Sequence, residues 1–248
     1  MRFGVCGGLD LAPRVLAAGF DYVEIGATGF ALREDFDPAE YRGVEASNLF
    51  FPGTIRLFGS ERTPYLEYAQ LAVERAHRIG IQTMVIGSGG SRRAPDGIDA
   101  LEAERQFVDI CGEIADYARP FGIVIAPESL NRSETNVGND LGALALALRE
   151  RGVGYTADSY HVLFEWHAEG GQGEPDWERQ IPFVPSHVHV GDLPRNAPEP
   201  EDPLVRGFAR RLRTLGYHGR ISLEARRRDE TDEELRRVLG NLRQIFLE

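Results

Sequence analysis

With 248 residues and a formal net charge of −11, the chain is long enough for one large core, and its global field repels nucleic acid and anionic membrane surfaces. An apolar share of 42% and a charged share of 27% are ordinary for a soluble globular protein. The N-terminus shows no signal-peptide core, and no apolar run approaches the roughly 18 residues of a membrane span, so the expectation is a cytoplasmic protein without membrane attachment.

Short β-rich runs alternate with helical patterns from end to end. The strands are expected at Arg2–Cys6, Tyr22–Ile25, Val44–Leu49, Thr83–Ile86, Ile123–Pro127, Gly154–Ala157, His187–Val190 and Ile221–Glu224. Apolar residues at helical spacing predict helices over Tyr65–Ile79, Leu101–Ala118 and Leu141–Arg149. A Thr-Asp-Glu-Glu capping box opens a last one over Thr231–Phe246. Alternating strands and helices imply parallel pairing through right-handed crossovers. Eight such units in this length predict an α/β protein, a single (β/α)8 barrel over residues 1–248, rather than an open doubly wound sheet.

The glycine pair after Cys6 and the turn Gly87-Ser-Gly-Gly read as turn chemistry, with phosphate approach the alternative. Arg56, Arg92 and Arg93 read as exposed loop arginines, with a phosphate handle the alternative. Two irregular stretches, Glu165–Ile181 and Asn196–Pro203, are taken as loops over the mouth of the barrel. Cys6 and Cys111 stand in no zinc or redox spacing and read as buried, reduced thiols.

Four residues carry the chemistry. Glu128, Asp158, His189 and Glu224 each close a predicted strand, and each is a metal-ligand type. Residues two apart on a strand share a face. That parity turns these four inward, with Ala126, Thr156, His187 and Ser222, and leaves Val188, Val190, Ile221 and Leu223 facing the helices. Three carboxylates at one mouth repel one another without a cation. An oxygen-rich set with one nitrogen suits a divalent ion such as magnesium, manganese, cobalt or zinc. Around them Asn131, Arg132, Glu134, His161 and Arg195 supply polar groups of the kind that grip sugar hydroxyls. His187 reads as a core or supporting histidine.

These motifs resemble those of the xylose-isomerase-like barrel superfamily, in its ketose 3-epimerase and hydroxypyruvate isomerase branch. The matching pieces are Glu128 within Glu-x-x-Asn-Arg-x-Glu ending at Glu134, Asp158 with His161 three residues on, His189 followed six residues later by Arg195, and the terminal-strand Glu224. The resemblance implies a metal-dependent sugar, sugar phosphate or hydroxyketone isomerase or epimerase. Glu128 and Glu224 would be the acid/base pair of an enediolate reaction, as well as ligands with Asp158 and His189. His161, Arg195 and Glu134 would hold the substrate. The implied partner is a small carbohydrate, with a homo-oligomer left open. A polyol dehydratase could use the same four ligands. A non-catalytic sugar-binding barrel need not keep both glutamates. A repair endonuclease would need more inward histidines and a less acidic surface.

Overall fold

The computed structural model describes residues 1–59 and 62–248, Arg62 by its backbone alone. Eight parallel strands form one sheet: β1 Arg2–Cys6, β2 Tyr22–Gly26, β3 Val44–Asn48, β4 Thr83–Ile86, β5 Val124–Pro127, β6 Thr156–Asp158, β7 His187–Val190 and β8 Arg220–Leu223. Their order is β5-β4-β3-β2-β1-β8-β7-β6. The sheet curls until its two edges meet. There, a single parallel bridge joins Glu128 to Thr156, and the Thr156 hydroxyl donates to the Ala126 carbonyl at 2.8 Å. The result is the expected (β/α)8 barrel, nearly closed.

The helices are α1 Ala12–Ala17, α2 Thr28–Ala31, α3 Arg62–Ile79, α4 Ala100–Ala118, α5 Leu141–Glu150, α6 Ser159–Ala168, α7 Trp177–Gln180, α8 Pro203–Thr214 and α9 Asp232–Leu247. No helix among the described residues is long and apolar enough to cross a membrane. The last helix opens as its capping residues require, with Thr231 Oγ1 accepting from the Glu234 amide at 3.1 Å. The reciprocal half of the box is absent. Asp229 accepts from the Thr231 amide at 2.8 Å, while the Glu234 carboxylate turns to Arg237 and to the Arg228 amide.

Strand parity sorts the interior into two cores. Val5, Val23, Ile25, Val188, Val190, Ile221 and Leu223 join the large apolar layer beneath the helices. The opposite faces fill the barrel with Tyr22, Glu24, Ala46, Val85, Ala126, Thr156, His187 and Ser222, all fully buried. This inner core is polar, so each group there must find a partner. Gly4 makes room for one of them, because a β-carbon there would lie 2.3 Å from Tyr22 Cε2.

The stretch at Glu165–Ile181 departs from expectation. Its first four residues complete α6, and α7 sits within it. It follows a helix rather than a strand, and α7 packs beside α5 and α8. The Asn196–Pro203 segment does follow β7. It is tied down by a bridge from Asn196 to Arg226 and by the Asn241 amide on the Pro198 carbonyl at 3.1 Å.

Candidate metal centre and active site

Each of the four predicted ligand residues sits within one residue of the C-terminal end of its strand, where a parallel barrel opens. One ligand atom each from Glu128, Asp158, His189 and Glu224 falls within a sphere where all lie within 4.8 Å of one another. His189 Nδ1 is the hub, 2.8 Å from Glu128 Oε1 and 3.3 Å from Glu224 Oε2.

Asp158 divides its carboxylate between two tasks. Oδ1 accepts from the Tyr160 amide at 2.7 Å and caps α6. Oδ2 is buried and has no hydrogen-bond partner. Burial, then the charges of Glu128 and Glu224, push this carboxyl well above its ordinary range. Burial also opposes ionisation of Glu224, but His189 and Arg195 outweigh it and hold that group low. Desolvation works against a charged His189 too, yet the carboxylates of Glu24 and Glu128 around it raise it well above the usual imidazole range. The crowding of acids therefore favours the protonated forms of Asp158 and His189 in the chain alone. A divalent ion relieves the same crowding directly. The orphaned Asp158 oxygen and the oxygen-rich, one-nitrogen donor set fit such an ion.

Backbone and packing fix these groups from outside. A β-carbon at Gly87 would approach Glu128 Oε2 to 2.8 Å, and one at Gly89 would meet the Glu134 carbonyl at 2.9 Å. The glycine-rich turn is thus shaped by the end of β5. Arg92, expected to be exposed, is fully buried. Its Nη1 donates to the Glu128 carbonyl at 2.6 Å and its guanidinium stacks 4.8 Å from the Phe107 ring. The sequence hides this because burial arises only when the turn after β4 folds beneath β5. Arg56 and Arg93 are exposed as expected.

The three predicted substrate residues also converge. His161 Nδ1 receives the Asn131 amide at 3.2 Å and the Asn131 side-chain nitrogen at 2.9 Å. Both are donors, so Nδ1 is the acceptor and the ring proton lies on Nε2. That atom is buried, unpartnered and 3.7 Å from Asp158 Oδ2. Burial pushes His161 down in pKa, which favours this neutral donor form. Arg195 bridges Glu224 at 2.9 Å and Glu134 at 3.2 Å, with its guanidinium 4.6 Å over the Tyr160 ring. It occupies the left-handed region, at φ 82°, an unusual conformation for a non-glycine residue. Arg132 instead pairs with Glu165 of α6 and with Glu169 just past its end.

One buried acid has no place in the sequence expectations. Glu24, in the middle of β2, accepts from His189 Nε2 and His187 Nε2, each at 2.8 Å, and from Ser222 Oγ. Its signal is an acid inside the apolar run Tyr-Val-Glu-Ile, with the inward parity of Tyr22. Cys6, Glu24 and His189 form a second group of close ligand types, but Glu24 is already committed to three donors. This group is the reverse side of the first centre. Cys6 is partly exposed, and Cys111 is buried.

The profile of the xylose isomerase-like TIM barrels matches residues 13–245. A ketose 3-epimerase of Arthrobacter globiformis is 30% identical over 139 residues, which are 54% of this chain and 46% of that protein, so the match spans about half the relative's length. Among solved structures, a D-psicose 3-epimerase in the presence of D-fructose has a TM-score of 0.82 at 18% identity, over 99% of both chains. A D-psicose 3-epimerase with D-tagatose, from Clostridium cellulolyticum H10, has a TM-score of 0.81 at 16% identity, again over 99% of both. At these identities the structural likenesses carry the fold, and the profile carries the family: the chain belongs to the xylose isomerase-like TIM barrels.

Proposed function

We propose that the protein is a metal-dependent sugar epimerase or isomerase that moves a proton on the carbon next to a ketose or hydroxyketone carbonyl. The observation that carries this reading is the convergence of Glu128, Asp158, His189 and Glu224 within 4.8 Å. The partial match to a ketose 3-epimerase supports the substrate class. These four side chains would hold the ion, with manganese first in order. When bound, the ion would supply Lewis-acid polarisation of the carbonyl and an adjacent hydroxyl.

The chain's own groups account for the rest. Glu128 and Glu224 enter from different strands and meet only at His189 Nδ1, an arrangement in which one takes the α-proton and the other returns it. Return to the opposite face inverts the carbon, and return to the neighbouring carbon isomerises the sugar. Arg195 holds Glu224 by charge, and Arg92 fixes the Glu128 main chain. His161 Nε2–H points toward Asp158 with no other acceptor, where a substrate oxygen would take it up. Glu134, gripped by Arg195 and Asn131, would complete the rim.

The test is exchange of the α-proton of fructose, tagatose and hydroxypyruvate in heavy water with Mn2+ present. Exchange, with a change of sugar at the same carbon or its neighbour, is the expected outcome. Bound Mn2+ without exchange from any ketose would move the assignment to the dehydratase, which could use the same ligands. Among the described residues the only other ligand group shares His189, and the net charge of −11 argues against tracking a phosphate backbone, so the endonuclease reading has the least support.

A further inference from the structure

Glu24 takes no part in the proton transfer just described, yet it is fully buried directly behind the hub of the metal centre. Its Oε1 lies 2.8 Å from His189 Nε2. Its Oε2 lies 2.8 Å from His187 Nε2 and also accepts from Ser222 Oγ. The Tyr22 hydroxyl, 2.7 Å from that serine oxygen, completes the chain. A carboxylate can only accept, so every one of these partners donates. The serine proton is directed at Glu24, and the tyrosine proton therefore points at the serine. Both histidines carry a proton on Nε2.

This assignment decides which nitrogen of His189 an ion would use: Nδ1 also donates in the ion-free protein, to Glu128 at 2.8 Å, and a cation held by the acids there would take the place of that proton. Nδ1 faces Glu128 and Glu224, and Nε2 faces Glu24. Without an acid behind the ring, Glu128 and Glu224 would draw the imidazole proton to Nδ1; Glu24 gives Nε2–H a buried acceptor of its own. A histidine whose far N–H is held by a carboxylate is both fixed in direction and a stronger electron donor at its near nitrogen. The three donors on Glu24 come from β7 and β8, so the carboxylate cannot turn away from its task without breaking several buried bonds.

We propose that Glu24 is a positioning residue of the metal centre: by holding His189 Nε2–H it selects Nδ1 as the metal donor and strengthens that donor, while His187 and Ser222 lock Glu24 in place. The inference rests on the metal reading above. It concerns metal affinity rather than proton transfer, so it can be read without substrate.

The experiment is calorimetric titration of Mn2+ into the wild type and Glu24→Gln. In parallel, 15N spectra of the imidazoles are recorded on the Zn2+-loaded proteins, and circular dichroism checks folding. Glu24→Gln is expected to bind Mn2+ 10–100-fold more weakly and to lose the single Nε2-protonated pattern of His189. Binding within twofold of the wild type overturns the proposal. Should Glu24→Gln not fold, Ser222→Ala keeps the acid and both rings and removes one of the locks. It is expected to weaken Mn2+ at least threefold, and wild-type affinity in that variant overturns the proposal. If the wild type itself takes up no Mn2+, the metal centre falls and Glu24's role with it. Normal wild-type binding with an unaffected Glu24→Gln removes the Glu24 role alone.

Discussion

The two ends of the barrel handle charge in opposite ways. At the N-terminal end, Glu45 is shared by Arg2 at 2.6 Å and Arg220 at 2.8 Å, and Arg220 also reaches Gln82 at 2.7 Å. One acid meets two bases, and the group is partly solvated. At the C-terminal end, Glu128, Asp158 and Glu224 crowd around His189 with Glu24 behind it, and among the described residues Arg195 is the one arginine that pairs with a candidate ligand carboxylate. An oxygen of Asp158 and a nitrogen of His161 are left without partners. The first cluster is electrostatically complete and serves the fold. The second is short of positive charge, which is how a site differs from a joint.

Turnover should separate the two ends most sharply. Glu128→Gln or Glu224→Gln is expected to reduce α-proton exchange by at least about 10³-fold, at the upper end of what a positioned acid or base supplies, with the fold retained by circular dichroism. Exchange at the wild-type rate in either variant breaks the acid/base assignment. Glu45→Gln should leave exchange unchanged.

Thermal melts make the next test. Mn2+ at about 100 times its Kd should add about 2.7 kcal/mol, or roughly 5–10 °C for a domain of this size. The same increment should survive Glu45→Gln and vanish in Asp158→Asn. An increment that persists in Asp158→Asn would remove that residue from the ligand set.

A smaller effect is expected in metal-free protein. Because the folded Asp158 carboxyl is raised above its ordinary 3.8, its contribution is fully present below that value and is lost as pH rises through the raised pKa. Asp158→Asn removes an acid that the fold must either hold protonated or leave crowded by Glu128 and Glu224, while its side-chain oxygen can still cap α6. It should therefore raise the metal-free Tm at neutral pH by a few degrees and flatten this part of the pH profile. A lowered Tm would show that the cap, rather than the repulsion, dominates. The smallest change is expected from Glu45→Gln itself, a loss on the order of 1 kcal/mol measured in urea.

Much of this could be read before the fold was in hand, because the information is local. The eight strands announce themselves as apolar runs, and parity alone turns Glu128, Asp158, His189 and Glu224 inward. What sequence could not supply comes from elements that meet in space. Glu24 lies mid-strand rather than at a strand end, and its partners are more than 160 residues away. Arg92 looks like a loop residue until the turn closes beneath β5. The Glu165–Ile181 stretch looks like a mouth loop because Gly170, Gly171 and Gly173 draw attention from α6 before it. For Asp158, cap and candidate ligand are readings of its two different oxygens.

The seam of the barrel gives these residues a further meaning. Strands β5 and β6 are joined by one bridge and one threonine hydroxyl, fewer paired residues than any other neighbouring pair, the next being β3 and β4 with two. Glu128 stands on one lip of that seam and Asp158 on the other. A cation gripped by both would act as a rivet across the weakest join in the cylinder, so amide hydrogens of β5 and β6 should exchange with solvent more slowly once it is in place, ahead of those in β1 and β2.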